Sequence, residues 1–315
     1  MVGLPGPELT PEIEEAVKEY GLRHFIFFSR NLSQKERAKT LLSALKKKRG
    51  FLAVDQEGGP VARLRPPLFP KLSAPLELAR KKDPLGAVAQ EARVCAQHLK
   101  KYGFNLNLAP VLDLGDEKAP SFLRGRTFGS DPEKVALLGQ IYVRTFLDEG
   151  LLCCAKHFPG LGGVEVDPHQ GLPVKETVEE EDLLPFLEAI RIGVPAVMTT
   201  HLLIPAWDKE PATFSSKIVK FLRENLGFKG LILTDDLFMG GALARASLEE
   251  AVLRAFLAGH DLLLLCGEFH KSIDALAIFS EECQKSLILR KKVGEKLSFI
   301  EKQLHPSINL TNWRF

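Results

Sequence analysis

Lys156, His157, Asp167 and His169 fall within one short run, Lys156-His157-Phe158-Pro159-Gly160-Leu161-Gly162-Gly163-Val164-Glu165-Val166-Asp167-Pro168-His169. The apolar stretch Leu151–Ala155 stops abruptly at the Lys-His pair, and a Gly/Pro-rich loop follows with an Asp and a second His. An apolar strand with a polar end, then a loop of titratable groups, is how α/β barrels present their active sites. The titratable side chains on this loop are candidates for catalysis or binding. A lysine at the end of a buried strand needs a partner or a ligand.

Other apolar runs end the same way. Asp55-Gln56-Glu57-Gly58-Gly59 follows Phe51–Val54, with Arg63 and Arg65 beyond it. Asp113 follows Phe104–Leu112, and Arg124 and Arg126 lie on the next loop. Thr199-Thr200-His201 and Thr234-Asp235-Asp236 close two later runs. A ring of ionisable groups at strand ends is costly to bury without a function. Plainer readings stand beside it. Asp55 could cap a helix, although Gly58-Gly59 point to a close backbone approach. Arg63 competes with Arg65, Arg126 reads equally well as a surface arginine, and His201 as a satisfied core histidine. Adjacent Asp235 and Asp236 cannot both face one side of a strand, so one is free for chemistry and the other bonds to backbone or caps the next helix.

The elements that must carry these groups alternate along the whole sequence. Candidate strands are Met1–Leu4, Arg23–Phe28, Phe51–Asp55, Phe104–Leu112, Leu151–Lys156, Pro195–Thr200, Gly230–Thr234 and Asp261–Cys266. Several are apolar on both faces, as parallel strands covered by helices should be. Helix starts are read at Thr10-Pro11 and at the capping patterns beginning at Ser33, Ser130 and Ser247. Gly50, Gly103, Gly150, Gly193, Gly227 and Gly259 stand where helices should end. Eight alternations in a sequence of 315 residues favour a TIM-like (β/α)8 barrel in one domain spanning 1–315, with C-terminal helices from about residue 268. No GxGxxG follows an early strand, which removes the main support for a dinucleotide fold.

Composition narrows the partners. A formal net charge of +2 with 45% hydrophobic residues argues against nucleic acid as a partner. The run Lys46-Lys47-Lys48-Arg49 reads as the solvated C-terminal end of an amphipathic helix. No apolar run is long enough for a membrane span, and no secretory signal pattern opens the sequence. Five cysteines without CxxC spacing read as buried, reduced thiols, so the expected location is the cytoplasm.

Taken in order, Asp55-Gln56-Glu57-Gly58-Gly59, Asn107-Leu108-Ala109-Pro110-Val111-Leu112-Asp113, Arg126-Thr127-Phe128-Gly129, Lys156-His157-Phe158-Pro159-Gly160, Asp167-Pro168-His169 and Thr234-Asp235-Asp236-Leu237 resemble the β-N-acetylglucosaminidases of glycoside hydrolase family three. The resemblance implies a TIM-like barrel and a retaining reaction through a covalent glycosyl-enzyme, with no metal and no cofactor. It makes Asp235 the nucleophile, His169 the general acid/base and Asp167 the partner that orients His169. It makes Asp55, Arg63, Arg126, Lys156 and His157 the groups that bind the terminal sugar. The implied substrate is a small carbohydrate or muropeptide, trimmed during peptidoglycan recycling.

These roles suit the residue types. Retaining glycosidases need a carboxylate nucleophile and a proton donor, normally a second carboxyl group. An imidazole, with a reference pKa of about 6.5, can donate and then accept a proton near neutral pH. A loop that bears the acid/base implies closure over the substrate. Two positions depart from the family pattern: Leu161 stands where His is usual, and Pro168 where Ser is usual. Pro168 fixes its own φ and restricts Asp167, so the loop should be stiffer. Competing readings are a β-glucosidase or phosphorylase of the same family, a non-catalytic sugar-binding protein, and a metal-dependent barrel hydrolase built from His157, His169, His201 and Asp235.

Overall fold

The structure, a computed structural model, describes residues 1–304. Period-two alternation along the strands sorts side chains between two cores, and this sorting makes a barrel. Ile26, Ala53, Leu106, Cys154, Met198, Leu233 and Leu264 pack together in the lumen. Their sequence neighbours Phe25, Phe27, Val54, Cys153, Val197 and Ile232 face outward into the core shared with the helices. Cys153 and Cys154 thus point to opposite sides of one strand, and both are free thiols.

Ten strands follow in chain order: β1 (Val2–Gly3), β2 (Phe25–Phe27), β3 (Leu52–Val54), β4 (Gln56–Gly58), β5 (Val61–Ala62), β6 (Leu106–Asn107), β7 (Leu152–Phe158), β8 (Ala196–Thr199), β9 (Leu231–Asp236) and β10 (Leu262–Leu264). Eight form one sheet in the order β1-β2-β3-β6-β7-β8-β9-β10, with every pairing parallel. The ring is closed by a parallel bridge between Val2 and Leu265. The backbone N–H of Gly3 donates to Leu265 O at 2.8 Å, and that of Leu265 donates to Met1 O at 2.9 Å. This is the TIM-like (β/α)8 barrel expected from the alternation. Each of the eight strands lies inside the stretch assigned to it, except that β7 and β9 run on through Phe158 and Asp236.

β4 and β5 were not expected. They form a small antiparallel hairpin beyond β3, and it folds Arg63 back toward Asp55. Gly58 has φ 100°, and a Cβ there would lie 2.4 Å from Ser73 O, so the close backbone approach read from Gly58-Gly59 is real.

Helix starts differ from expectation in two places. Thr10 and Ser247 cap as read, accepting from the N–H groups of Ile13 and Glu250. Asp131 rather than Ser130 caps the helix Pro132–Asp148, because Pro132 occupies its first position. Gln34 precedes the helix Lys35–Lys46, while Ser33 ends a short helix before it. Gly50 also departs, since the preceding Arg49 takes the left-handed conformation with φ 56°. Helices Phe269–Lys285 and Leu287–Leu304 close the outer layer. Residues 305–315 of the expected 1–315 domain lie outside the described residues. Among the described residues no helix is long and apolar enough to cross a membrane.

Candidate active site

Strand parity carries three ionisable groups to the mouth of the lumen. Asp55 continues the inward face of Ala53, Lys156 that of Cys154, and Asp235 that of Leu231 and Leu233. They meet in a cleft of about 480 Å³ at the C-terminal ends of the strands. Its lining includes Asp55, Arg63, Arg126, Lys156, His157, Asp167, His169 and Asp235, so the sequence-derived candidates are brought together. Arg65 and Arg124, which competed with the two arginines, are not in that lining.

One wall is a chain of charges. Arg63 Nη2 donates to Asp55 Oδ2 at 3.1 Å, and Lys156 Nζ donates to Asp55 Oδ1 at 2.8 Å. Lys156 Nζ also lies 2.7 Å from Glu57 Oε1. Arg126 grips Glu57 with two parallel bonds, both 2.8 Å, and donates from Nη1 to Phe122 O. The Lys156 side chain is 3% exposed and that of Glu57 is 1% exposed. Burial alone would raise both carboxyls, but the neighbouring cations outweigh it. Lys156 and Arg63 hold Asp55 well below the usual carboxylate range. Arg126 and Lys156 bring Glu57 down to about 2. Burial would also discharge Lys156, yet Asp55 and Glu57 keep it above its ordinary value.

Glu57 is the residue that sequence reasoning passed over. The sugar-binding candidates held three cations, Arg63, Arg126 and Lys156, against the single carboxylate Asp55, and that surplus called for another carboxylate. Glu57 lies two residues beyond Asp55, on the same side of an extended segment.

A pH dependence follows. Both carboxyls titrate lower in the folded than in the unfolded chain. Their pairing therefore contributes stability above the ordinary value, 4.5 for Glu57, and that contribution is lost as pH falls toward about 2. The urea midpoint should drop through this window, and Glu57→Gln should flatten part of the drop. A midpoint that falls just as steeply in Glu57→Gln contradicts the pairing as its source.

Two histidines have assigned tautomers. His157 Nδ1 lies 2.7 Å from Asp113 Oδ2, and the N–H of Leu161 donates to Asp113 Oδ1 at 2.7 Å. An ionised carboxylate only accepts, so the ring proton sits on Nδ1 and Nε2 is free for the cleft. The same logic holds at the loop dyad, where His169 Nδ1 lies 2.7 Å from Asp167 Oδ1. There Nε2 is the nitrogen left to exchange a proton. His169 is 63% exposed while Asp167 is 24% exposed, so the partner is the better fixed of the two. Leu161 is buried in the outer core; where the family has a polar loop residue, this chain has an apolar anchor.

Asp235 and Asp236 both line the cleft, because a register shift between β9 and β10 sets Asp236 opposite Leu264, and hydrogen bonding is what separates them. Asp235 takes the inward position. Asp236 accepts from the N–H groups of Phe238 at 3.1 Å and Cys266 at 2.9 Å, tying together the chain beyond β9 and β10. Burial raises the Asp236 carboxyl to about 6, although those two bonds oppose the shift. His201 proves to be a core histidine. Nε2 donates to Asp236 O at 2.8 Å, and Nδ1 meets the Thr213 hydroxyl at 2.7 Å. Burial lowers its pKa, and it does not line the cleft. The four-residue metal set therefore does not assemble, and among the described residues no group of three His, Cys, Asp or Glu is arranged to hold a metal ion.

Known proteins share this fold and this sequence pattern. Residues 3–293 match the Glycosyl hydrolase family 3 N terminal domain. A Beta-hexosaminidase of Neisseria meningitidis is 36% identical over 280 residues, covering 84% of this chain and 77% of that protein. One from Thiobacillus denitrificans is 34% identical over 290 residues, covering 88% and 80%. Among solved structures, a glycoside hydrolase family 3 beta-N-acetylglucosaminidase from Paenibacillus superposes with TM-score 0.86 at 30% identity, covering 96% of this chain and 61% of that one. NagZ from Neisseria gonorrhoeae, in complex with N-trifluoroacetyl-D-glucosamine, gives TM-score 0.80 at 29% identity and covers 100% and 93%. By its barrel, its cleft and this match across nearly its whole length, the chain belongs to glycosyl hydrolase family 3.

Proposed function

We propose that the protein is a retaining, exo-acting β-N-acetylglucosaminidase, with Asp235 as nucleophile and the His169–Asp167 dyad as acid/base. The observation that carries the reading is the shared cleft: the inward-facing carboxylate of Asp235 lies in the same space as a histidine whose other ring nitrogen is committed to an aspartate. The similar beta-N-acetylglucosaminidase from Paenibacillus, and NagZ in complex with N-trifluoroacetyl-D-glucosamine, support the sugar. The cleft floor is the apolar lumen layer of Ile26, Leu108, Met198 and Leu264, which suits entry of a chain end rather than passage of a long chain.

In the first step a carboxylate oxygen of Asp235 attacks the anomeric carbon. The bond to the leaving oxygen breaks, and that oxygen takes the Nε2 proton of His169, which enters the step as the imidazolium and leaves it neutral with its remaining proton on Nδ1. In the second step a water oxygen attacks the same carbon and displaces Asp235, while His169 Nε2 accepts the water proton. Asp55, Arg63, Arg126, Lys156 and His157 bind the hydroxyls of the terminal sugar: Asp55 accepts, and the cations and His157 offer donors. Arg63 keeps a buried Nε without a protein partner, a donor available for this purpose. The substrates are small fragments of peptidoglycan, and the location is the cytoplasm, where the free thiols would stay reduced.

The test compares nitrophenol release from an aryl β-N-acetylglucosaminide and an aryl β-glucoside. The expected kcat/KM is at least about 10²-fold higher on the N-acetylglucosaminide, as for a site that must satisfy an added amide. An equal or greater value on the glucoside overturns the substrate assignment in favour of a β-glucosidase.

A further inference from the structure

The loop bearing Asp167 and His169 is held from below by the chain that follows the nucleophile strand. The backbone N–H of Gly240 donates to His169 O at 3.1 Å, and that of Gly241 donates to Pro168 O at 2.9 Å. Within the loop, the N–H groups of Gln170 and Gly171 both return to Asp167 O, at 2.9 and 3.1 Å. Residues 167–171 are thus one compact turn, and Gly240 and Gly241 grip it by two carbonyls.

Neither glycine has the positive φ that would itself require glycine. Space is what they supply. A Cβ on Gly240 would lie 2.7 Å from Gln170 C, 2.8 Å from Gln170 O and 2.9 Å from His169 O. These are backbone atoms, so a side chain at 240 is accommodated only by moving the turn. A Cβ on Gly241 would lie 2.7 Å from His201 Cβ and within 3.2 Å of the carbonyls of Gly171 and Pro168. The exposed His169 ring makes one side-chain bond, to Asp167 of the same turn. Its place over the cleft therefore depends on where the turn is seated.

We propose that Gly240 and Gly241 are positioning residues for the acid/base: through them the segment carrying Asp235 sets the distance between nucleophile and proton donor, and the seated turn is the reactive state. This rests on the roles given above to Asp235 and His169. A displacement of about 1 Å at a reacting group can cost on the order of 10²-fold in rate. The glycine pair holds the turn against such a displacement.

Gly240→Ala isolates the effect, because alanine is the better helix former and position 240 opens the helix Gly240–Leu243. The variant is assayed beside His169→Ala on aryl β-N-acetylglucosaminides of graded leaving-group acidity, with and without sodium azide. Azide attacks the glycosyl-enzyme at the anomeric carbon without a general base and releases Asp235 as the glycosyl azide forms. Gly240→Ala is expected to lose about 10²-fold in kcat on poor leaving groups and less than about tenfold on good ones. Azide should raise turnover of good leaving groups in both variants and not in the wild type. The slope and the azide response are ratios within one preparation, so a lower folded fraction does not mimic them. If His169→Ala shows both signatures and Gly240→Ala keeps the wild-type slope without an azide response, the positioning role is refuted. If His169→Ala shows neither, His169 is not the acid/base and the proposal falls with that assignment.

Discussion

Replacing Asp235 by alanine is expected to lower kcat/KM on an aryl β-N-acetylglucosaminide by about 10⁴-fold or more, the scale seen when a covalent nucleophile is removed. Its neighbour should behave differently. Asp236→Asn keeps an oxygen to accept from the N–H groups of Phe238 and Cys266 and removes only the charge. A charge-assisted hydrogen bond is roughly twice as strong as a neutral one, so a loss within about tenfold is expected. The contrast separates adjacent residues of the same type by what each carboxylate is bonded to. A similar loss in both variants would mean that the pair acts as a unit or that these hydrogen bonds do not decide the roles.

Lys156→Met should give the largest loss of stability. Lys156 Nζ lies within 2.8 Å of both Asp55 and Glu57, and both carboxylates are buried. Removing one partner from a buried ionic cluster leaves uncompensated charge and typically costs about 3–5 kcal/mol. Arg63 and Arg126 remain as second partners, which places the expectation toward the lower end. The cost should shrink in acid, because the orphaned carboxyls can then be protonated. Urea unfolding of wild type and variant at pH 7 and pH 4.5 measures this. A variant as stable as wild type at pH 7, or a deficit that grows in acid, contradicts the charge account of the wall.

The barrel was legible because its signal is local. Each strand is a short, mostly apolar run, several of them apolar on both faces as in Leu151–Ala155, and each alternates with a helical pattern. The cleft was legible for the same reason, since Asp55, Lys156 and Asp235 stand at the ends of such runs. Parity was within reach too: Leu231, Leu233 and Asp235 alternate, and only the orientation of the strand relative to the lumen was missing. What escaped was pairing at long range. Glu57 reads as a polar loop residue until Arg126, far along the chain, is folded onto it. Asp113 reads as another strand-end acid, yet it is spent holding His157 and the N–H of Leu161. His201 could not be told from a catalytic histidine by sequence, because its satisfaction comes from Thr213 and a carbonyl of β9. The seat of the acid/base turn escaped for the same reason: it is a close approach between Gly240-Gly241 and residues 168–171.

The most direct measurement of the central claim is the site of the covalent intermediate. A 5-fluoro-N-acetylglucosaminyl fluoride destabilises the oxocarbenium-like transition states while its fluoride leaves without protonation, so the glycosyl-enzyme should accumulate. Intact-mass spectrometry should show one added sugar per chain, and peptide mapping should place it on Asp235 and not on Asp236. A sugar on any other residue contradicts the account. So does steady turnover of a normal substrate by a protein that never acquires the added mass, since it would mean hydrolysis without a covalent step on Asp235.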